Sequence, residues 1–224
     1  MAERDGKPAL TNDKAVYNFV SPTKAYISAS FNAHPESGSP WVDLIEADVA
    51  ITGNKAVFSW QANEDMIIVD EVSISSINEI EQQGSLIVKS IVDDKETIVL
   101  EEQIRLEKIN DDYSNDIIGT WEGRCTSDRS EFDDGQEHRW EYKDDGTYVY
   151  YVKDGDNWVP SDDDGNEYFV AGNLLCGRWF EDGTEYREWW EVSVYEDTMN
   201  WTALREDADG KTYTSTFEMK KVQE

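Results

Sequence analysis

The chain has 224 residues, and its 49 Asp and Glu against 20 Lys and Arg leave a formal net charge of −29. That balance excludes nucleic-acid binding, which needs clustered basic side chains against phosphates, and it excludes an electrostatic grip on anionic membranes. Nine Trp, eleven Tyr and seven Phe supply enough apolar bulk for a packed core without disulfides.

Residues 1–14 carry Gly6, Pro8 and Asn12 and read as a loose polar leader. They contain no secretory apolar stretch, and no run in the chain approaches the ~20 apolar residues of a membrane span. The acidic residues are shared between both halves, which reads as a solvating surface more than as an acidic tail.

From residue 15 the sequence alternates in short segments. Strands are predicted over Ala15–Val20, Ala25–Asn32, Val42–Ile51, Ala56–Gln61, Met66–Ser73, Ser85–Val92 and Thr97–Leu106, with one short helix over Ser76–Gln83. In Ala25 to Phe31, Tyr26, Ser28 and Ser30 share one face while Ile27, Ala29 and Phe31 share the other. Seven short strands in about 100 residues point to an immunoglobulin-like β-sandwich over 15–113, with a second small barrel as the alternative. The polar, turn-rich segment from Lys108 to Asp116 is the expected linker.

The region 114–224 holds eight predicted strands: Ile117–Thr126, Glu137–Tyr142, Thr147–Lys153, Glu167–Ala171, Leu174–Phe180, Thr184–Tyr195, Thr198–Arg205 and Lys211–Lys220. Asp-Gly recurs at 134–135, 145–146, 164–165, 182–183 and 209–210. This dipeptide supplies the positive φ of tight hairpins. Eight sequential strands with no helix between them favour an up-and-down antiparallel barrel, since closure removes exposed edges. The fold class expected for the whole is therefore all-β.

Gly119-Thr120-Trp121, Asp197-Thr198-Met199 and Asp209-Gly210-Lys211-Thr212-Tyr213-Thr214 with Phe217 follow one another in a characteristic order. Residues 116–223 thereby resemble the lipocalin-like domains of secreted Bacteroidetes lipoproteins, and the Gly-x-Trp opening is shared with lipocalins and fatty-acid-binding proteins. The resemblance implies an eight-stranded barrel, a structural Trp121 at its closed end, and an envelope or secreted location. It implies no settled activity. The chain lacks the cysteine that carries a lipid, so membrane attachment would require an anchor upstream.

Strand parity sets Trp140 beside His138 and Tyr142, and Tyr148 beside Tyr150. It likewise groups Trp179 with Leu175, Trp190 with Tyr186 and Val192, and Trp201 with Met199. Such rings line an aromatic pocket for a small apolar or stacking ligand, or they fill a solid core. Glu188 falls among them; facing inward it would need a partner, whereas a bulge near Trp189-Trp190 would turn it to solvent. The expected ligand-binding set is Trp140, Tyr148, Tyr150, Trp179, Glu188, Trp190 and Trp201.

No enzyme is expected, because His34 and His138 have no nucleophile elbow near them. No cofactor is expected either. Cys125 and Cys176 match no metal spacing and form one disulfide or two buried thiols. The acidic turns Asp154-Gly155-Asp156 and Asp162–Glu167 invite a calcium reading but fail the EF-hand spacing. Partners are then a small hydrophobic ligand or, through an outer aromatic patch at Trp158 or Trp41, a protein or glycan in a structural or adhesion role.

Overall fold

The computed structural model describes residues 1–29, 45–78, 80–133 and 135–223, apart from the side chains of Ala29 and Asp164. Trp41, and the parts of two predicted strands that fall within 30–44, lie outside the described residues. The described chain is built from strands, with two short 3-10 turns, and contains no helix long and apolar enough to cross a membrane.

Two compact units form. Among the described residues the first comprises 1–9, 13–29 and 45–108, and the second comprises 109–223 together with Leu10–Asn12. The division falls between Lys108 and Ile109, at the start of the expected linker, and Tyr113 already packs on the second core.

In the first unit the strands are β1 (Glu3–Arg4), β2 (Lys7–Pro8), β3 (Ala15–Ser21), β4 (Lys24–Ala29), β5 (Ile45–Thr52), β6 (Lys55–Asn63), β7 (Met66–Ile77), β8 (Glu81–Val92) and β9 (Lys95–Glu107). They make one sheet in the order β2-β1-β9-β8-β7-β6-β5-β4-β3. This corrects the two-sheet sandwich expected from the strand count. A sandwich needs connections that cross between sheets. Here Thr52 pairs Lys55, Asn63 pairs Met66 and Val92 pairs Lys95, so each turn is too short to do anything but return the chain beside itself. The Val92–Lys95 turn puts Asp93 and Asp94 both at positive φ, which short carboxylate side chains tolerate.

Two further expectations are corrected. The leader is ordered: Glu3 and Arg4 pair with Arg105 and Ile104, and the Arg4–Glu102 and Arg105–Glu3 ion pairs flank that ladder. The helix over 76–83 does not form, because Asn78 turns the chain. Its Oδ1 accepts from the Ile80 and Glu81 amides, each at 2.8 Å, and β7 pairs directly with β8.

Alternation decides which face is inside. Ala47 and Val49 of β5 are buried while Glu46 and Asp48 are not, and Phe58, Trp60, Val72, Leu86, Val88 and Ile104 continue the same face. The sheet curls on that face. The Met1 amino group donates to Ala15 O at 2.7 Å, and Tyr17 on β3 donates to Asp70 Oδ2 on β7 at 3.2 Å.

The second unit contains β10 (Gly119–Ser127), β11 (Glu137–Tyr142), β12 (Tyr148–Asp154), β13 (Asn157–Pro160), β14 (Asp164–Ala171), β15 (Leu174–Glu181), β16 (Thr184–Tyr195), β17 (Thr198–Glu206) and β18 (Thr212–Lys221). Their order is β13-β12-β11-β10-β18-β17-β16-β15-β14, a second antiparallel sheet that curls into a half-barrel. The sheet carries nine strands where eight were expected, the addition being β13. The turn before β12 meets β14: Thr147 bridges Glu167, and the Tyr168 amide donates to Gly146 O at 2.8 Å.

Asp182 and Gly183 both take positive φ and join Glu181 to Thr184, as a tight hairpin requires. Asp164-Gly165 behaves differently. It lies at the irregular start of β14, where the register shifts between Asp164 and Glu167, so this Asp-Gly marks a bulge and not a turn. At Gly123 a Cβ would lie 2.1 Å from Glu218 O, a contact only glycine permits between β10 and β18.

Candidate functional site

The half-barrel interior is built largely by alternation along antiparallel strands. Trp121 forms the floor, fully buried, with its Nε1 donating to Ile117 O at 2.7 Å. Lys221 Nζ lies 5.1 Å from the centroid of that ring, over the glycine at 119 that leaves it room. Above the floor come Met199, Met219, Tyr142, Val192, Trp201 and Phe217, all buried. Trp140 lies 4.8 Å from Trp201 between ring centroids, and Trp190 lies 5.6 Å from Trp201 and 5.3 Å from Phe217. These tilted and edge-on contacts are the favoured aromatic geometries.

The rings fill the lower barrel and leave the upper part hollow. A cavity of about 840 Å³ opens between the walls. Trp140, Tyr148, Tyr150, Trp179, Glu188, Trp190 and Trp201 all line it, so the structure brings the seven sequence-selected residues to one place. Trp179 stacks on the exposed Tyr186 at 5.5 Å near the rim. Tyr150 Oη lies 2.8 Å from His138 Nδ1, and the His138 ring stacks on Trp140 at 5.4 Å. A hydrogen-bonded, stacked imidazole is held as part of the wall.

Glu188 faces the cavity. The pairing of β15 with β16 runs without a break from Leu174↔Glu191 to Glu181↔Thr184, so the bulge that would have turned Glu188 outward is absent. Its charge is met by Arg205: Nη2 lies 2.8 Å from Oε1, and the guanidinium sits 4.5 Å from the Trp190 ring centroid. Arg205 follows Trp201 and Ala203 on the same face of β17, and the curl of the sheet sets it against Glu188.

Sequence reasoning missed two other groups. Asp162 and Asp163, in the loop after β13, reach the cavity, as do Glu181 and Asp182 at the rim hairpin. Asp163 accepts from Ser161 Oγ at 2.6 Å. The Tyr148 hydroxyl is held well above its usual range, first by burial and then by the charges of Asp163 and Glu188. Carboxylates on two different elements therefore act at one point of the wall. The other missed group is a cap. Phe132, from the turn Ser130–Phe132, lines the cavity and stacks on Tyr213 at 4.0 Å, with the Arg129 guanidinium 5.1 Å from its ring and ion-paired to Asp207.

Two indole N–H groups, of Trp190 and Trp201, are buried without a hydrogen-bond acceptor. Cys125 lines the cavity and Cys176 lies on β15 beside the inward Leu175; they form no disulfide with each other. Among the described residues no three His, Cys, Asp or Glu side chains converge as metal ligands. Trp158, the outer-face candidate, is half-buried, with the Arg139 guanidinium 4.8 Å and the Lys153 ammonium 5.4 Å from its ring centroid.

No protein-family model and no curated protein matches the chain. Among solved structures, a double mutant of transferrin binding protein B, a vaccine antigen from Haemophilus parasuis Hp5, aligns over 82% of this chain and 40% of its own, with 12% identity and a TM-score of 0.26. The match thus spans less than half the length of that neighbour, and a superposition of this quality carries no argument about fold or partner.

Proposed function

We propose that the second unit is a lipocalin-like, non-enzymatic binding module that holds one small ligand with an apolar or aromatic body, in a secreted or envelope-attached protein. The observation that supports this is the cavity of about 840 Å³, large enough for a drug-sized molecule and walled by four tryptophans and several tyrosines. Eight of its strands, β10–β12 and β14–β18, follow the up-and-down order of the resembled family, with β13 as an added edge. The envelope location rests on the motif order from Gly119 to Phe217 alone.

Stacking surfaces bind without chemistry. Trp140, Trp179 and Trp190 line the space with aromatic surface, while the Glu188–Arg205 pair offers a fixed polar contact on the wall. A panel of aromatic and alkyl probes titrated against intrinsic tryptophan fluorescence tests the reading. Saturable quenching, weakened about tenfold or more by Trp190→Leu, is expected. Absence of saturable binding across the panel, with the protein folded, removes it.

A second reading has its own observation. In the first unit Phe19, Val20, Ile51, Ile98 and Val99 are each more than half exposed. Exposed apolar side chains suit contact with a protein or glycan, as a structural or adhesion module would make. Glycan-array or pull-down binding that survives blockage of the cavity would favour this role.

A further inference from the structure

We infer that the cavity selects an organic cation: a primary or alkylated ammonium carried on an apolar or aromatic skeleton. The inference rests on the binding reading above and adds the chemical class. Its ground is the disparity of charge around the cavity. Asp162, Asp163, Glu181, Asp182 and Glu188 all line it, against the single guanidinium of Arg205. Arg205 is already committed, paired with Glu188 at 2.8 Å and laid over the Trp190 ring at 4.5 Å.

An anion entering this space would meet five carboxylates and one committed guanidinium, with Asp162, Glu181 and Asp182 exposed and Asp163 and Glu188 half-buried. A neutral ligand would gain only the stacking. An ammonium gains both, because Trp140 and Trp179 line the same space and an aromatic face carries the negative side of the ring quadrupole. The carboxylates do not act separately. Asp163 lies in the loop after β13 and Glu188 on β16, yet both bear on the Tyr148 hydroxyl. The formal charge of −29 would draw cations toward the mouth and speed their capture.

Three probes sharing one skeleton test this: 3-phenylpropylammonium, 3-phenylpropanol and 3-phenylpropanoate, titrated into the full chain at pH 7 by calorimetry and tryptophan fluorescence. The ammonium should bind at least about tenfold more tightly than the alcohol, and the carboxylate weakest of all. Asp163→Asn and Glu188→Gln should each reduce the ammonium preference by about threefold to tenfold, with binding of the alcohol little changed. The two positions lie on different elements, so a folding defect in one variant leaves the other informative. Equal or tighter binding of the alcohol overturns the cation inference and leaves the pocket reading standing. Tightest binding of the carboxylate does the same, and would assign specificity to Arg205 and the unpartnered indole N–H groups of Trp190 and Trp201. Failure of all three probes to bind the folded protein overturns both.

Discussion

Both units wind sequential hairpins into a nine-stranded antiparallel sheet, yet β3, β4 and β5 turn Ala15, Ala25 and Ala47 inward where the second unit turns inward tryptophan, tyrosine and phenylalanine. Small side chains let one wall approach its opposite, close enough for Tyr17 on β3 to reach Asp70 on β7. Large rings hold the walls apart. Packed edge-on at the floor they fill it, and where the strands continue past them the interior stays hollow. The difference teaches that, on one backbone plan, the spacing between opposite walls follows residue volume at alternate positions.

The strongest test of that contrast is Trp121→Ala. Removing a fully buried indole should cost about 3–5 kcal/mol, and hydrogen exchange should accelerate across β10–β18 more than across β3–β9. Equal acceleration in both sheets would show that the interiors are not separate cores.

Gly84 and Gly123 provide a matched pair. At each, a Cβ would lie 2.1 Å from a backbone oxygen, of Ser73 and Glu218 respectively. Alanine at either position should destabilise its own unit by about 2–3 kcal/mol. The variants should differ in location of the loss, read by exchange, more than in its size.

Asp70 distinguishes the interiors by pH. Burial pushes its carboxyl up to about 6 from an ordinary 3.8, the Tyr17 hydrogen bond opposing, and its Oδ1 has no partner. Because the folded value lies above the unfolded one, the protonated form favours folding. That contribution is whole below about pH 4 and is lost as pH rises through 6, by about 2–3 kcal/mol. The stability difference between the chain and Asp70→Asn should follow this slope, measured by denaturant melts from pH 4 to 7.5; a pH-independent difference would place the charge in water.

The smallest effect belongs to the surface. Lys89 Nζ lies 2.9 Å from both Glu71 and Glu96, and Lys89→Met should shift the denaturation midpoint only slightly, by an amount that diminishes with salt. A larger, salt-insensitive loss would mean that this outer network shares in holding the first unit's strands together.

Much of this architecture is legible in sequence because it is local. Alternation placed Trp140, Tyr148, Trp190 and Trp201 on inward faces, and Asp182-Gly183 set its hairpin, since the strand period and the φ of a turn depend only on neighbouring residues. Strand existence followed for the same reason, from Ala15–Ser21 through Thr212–Lys221. What tertiary structure alone decided was pairing and proximity. Sequence could not join Glu3 to Arg105, close Thr147 on Glu167, or set Arg205 against Glu188, because those contacts depend on how a sheet curls over many strands. The same holds for the hollow itself. Whether aromatic walls leave a void depends on the sum of side-chain volumes against the radius of the curled sheet, and that radius is a property of the whole unit.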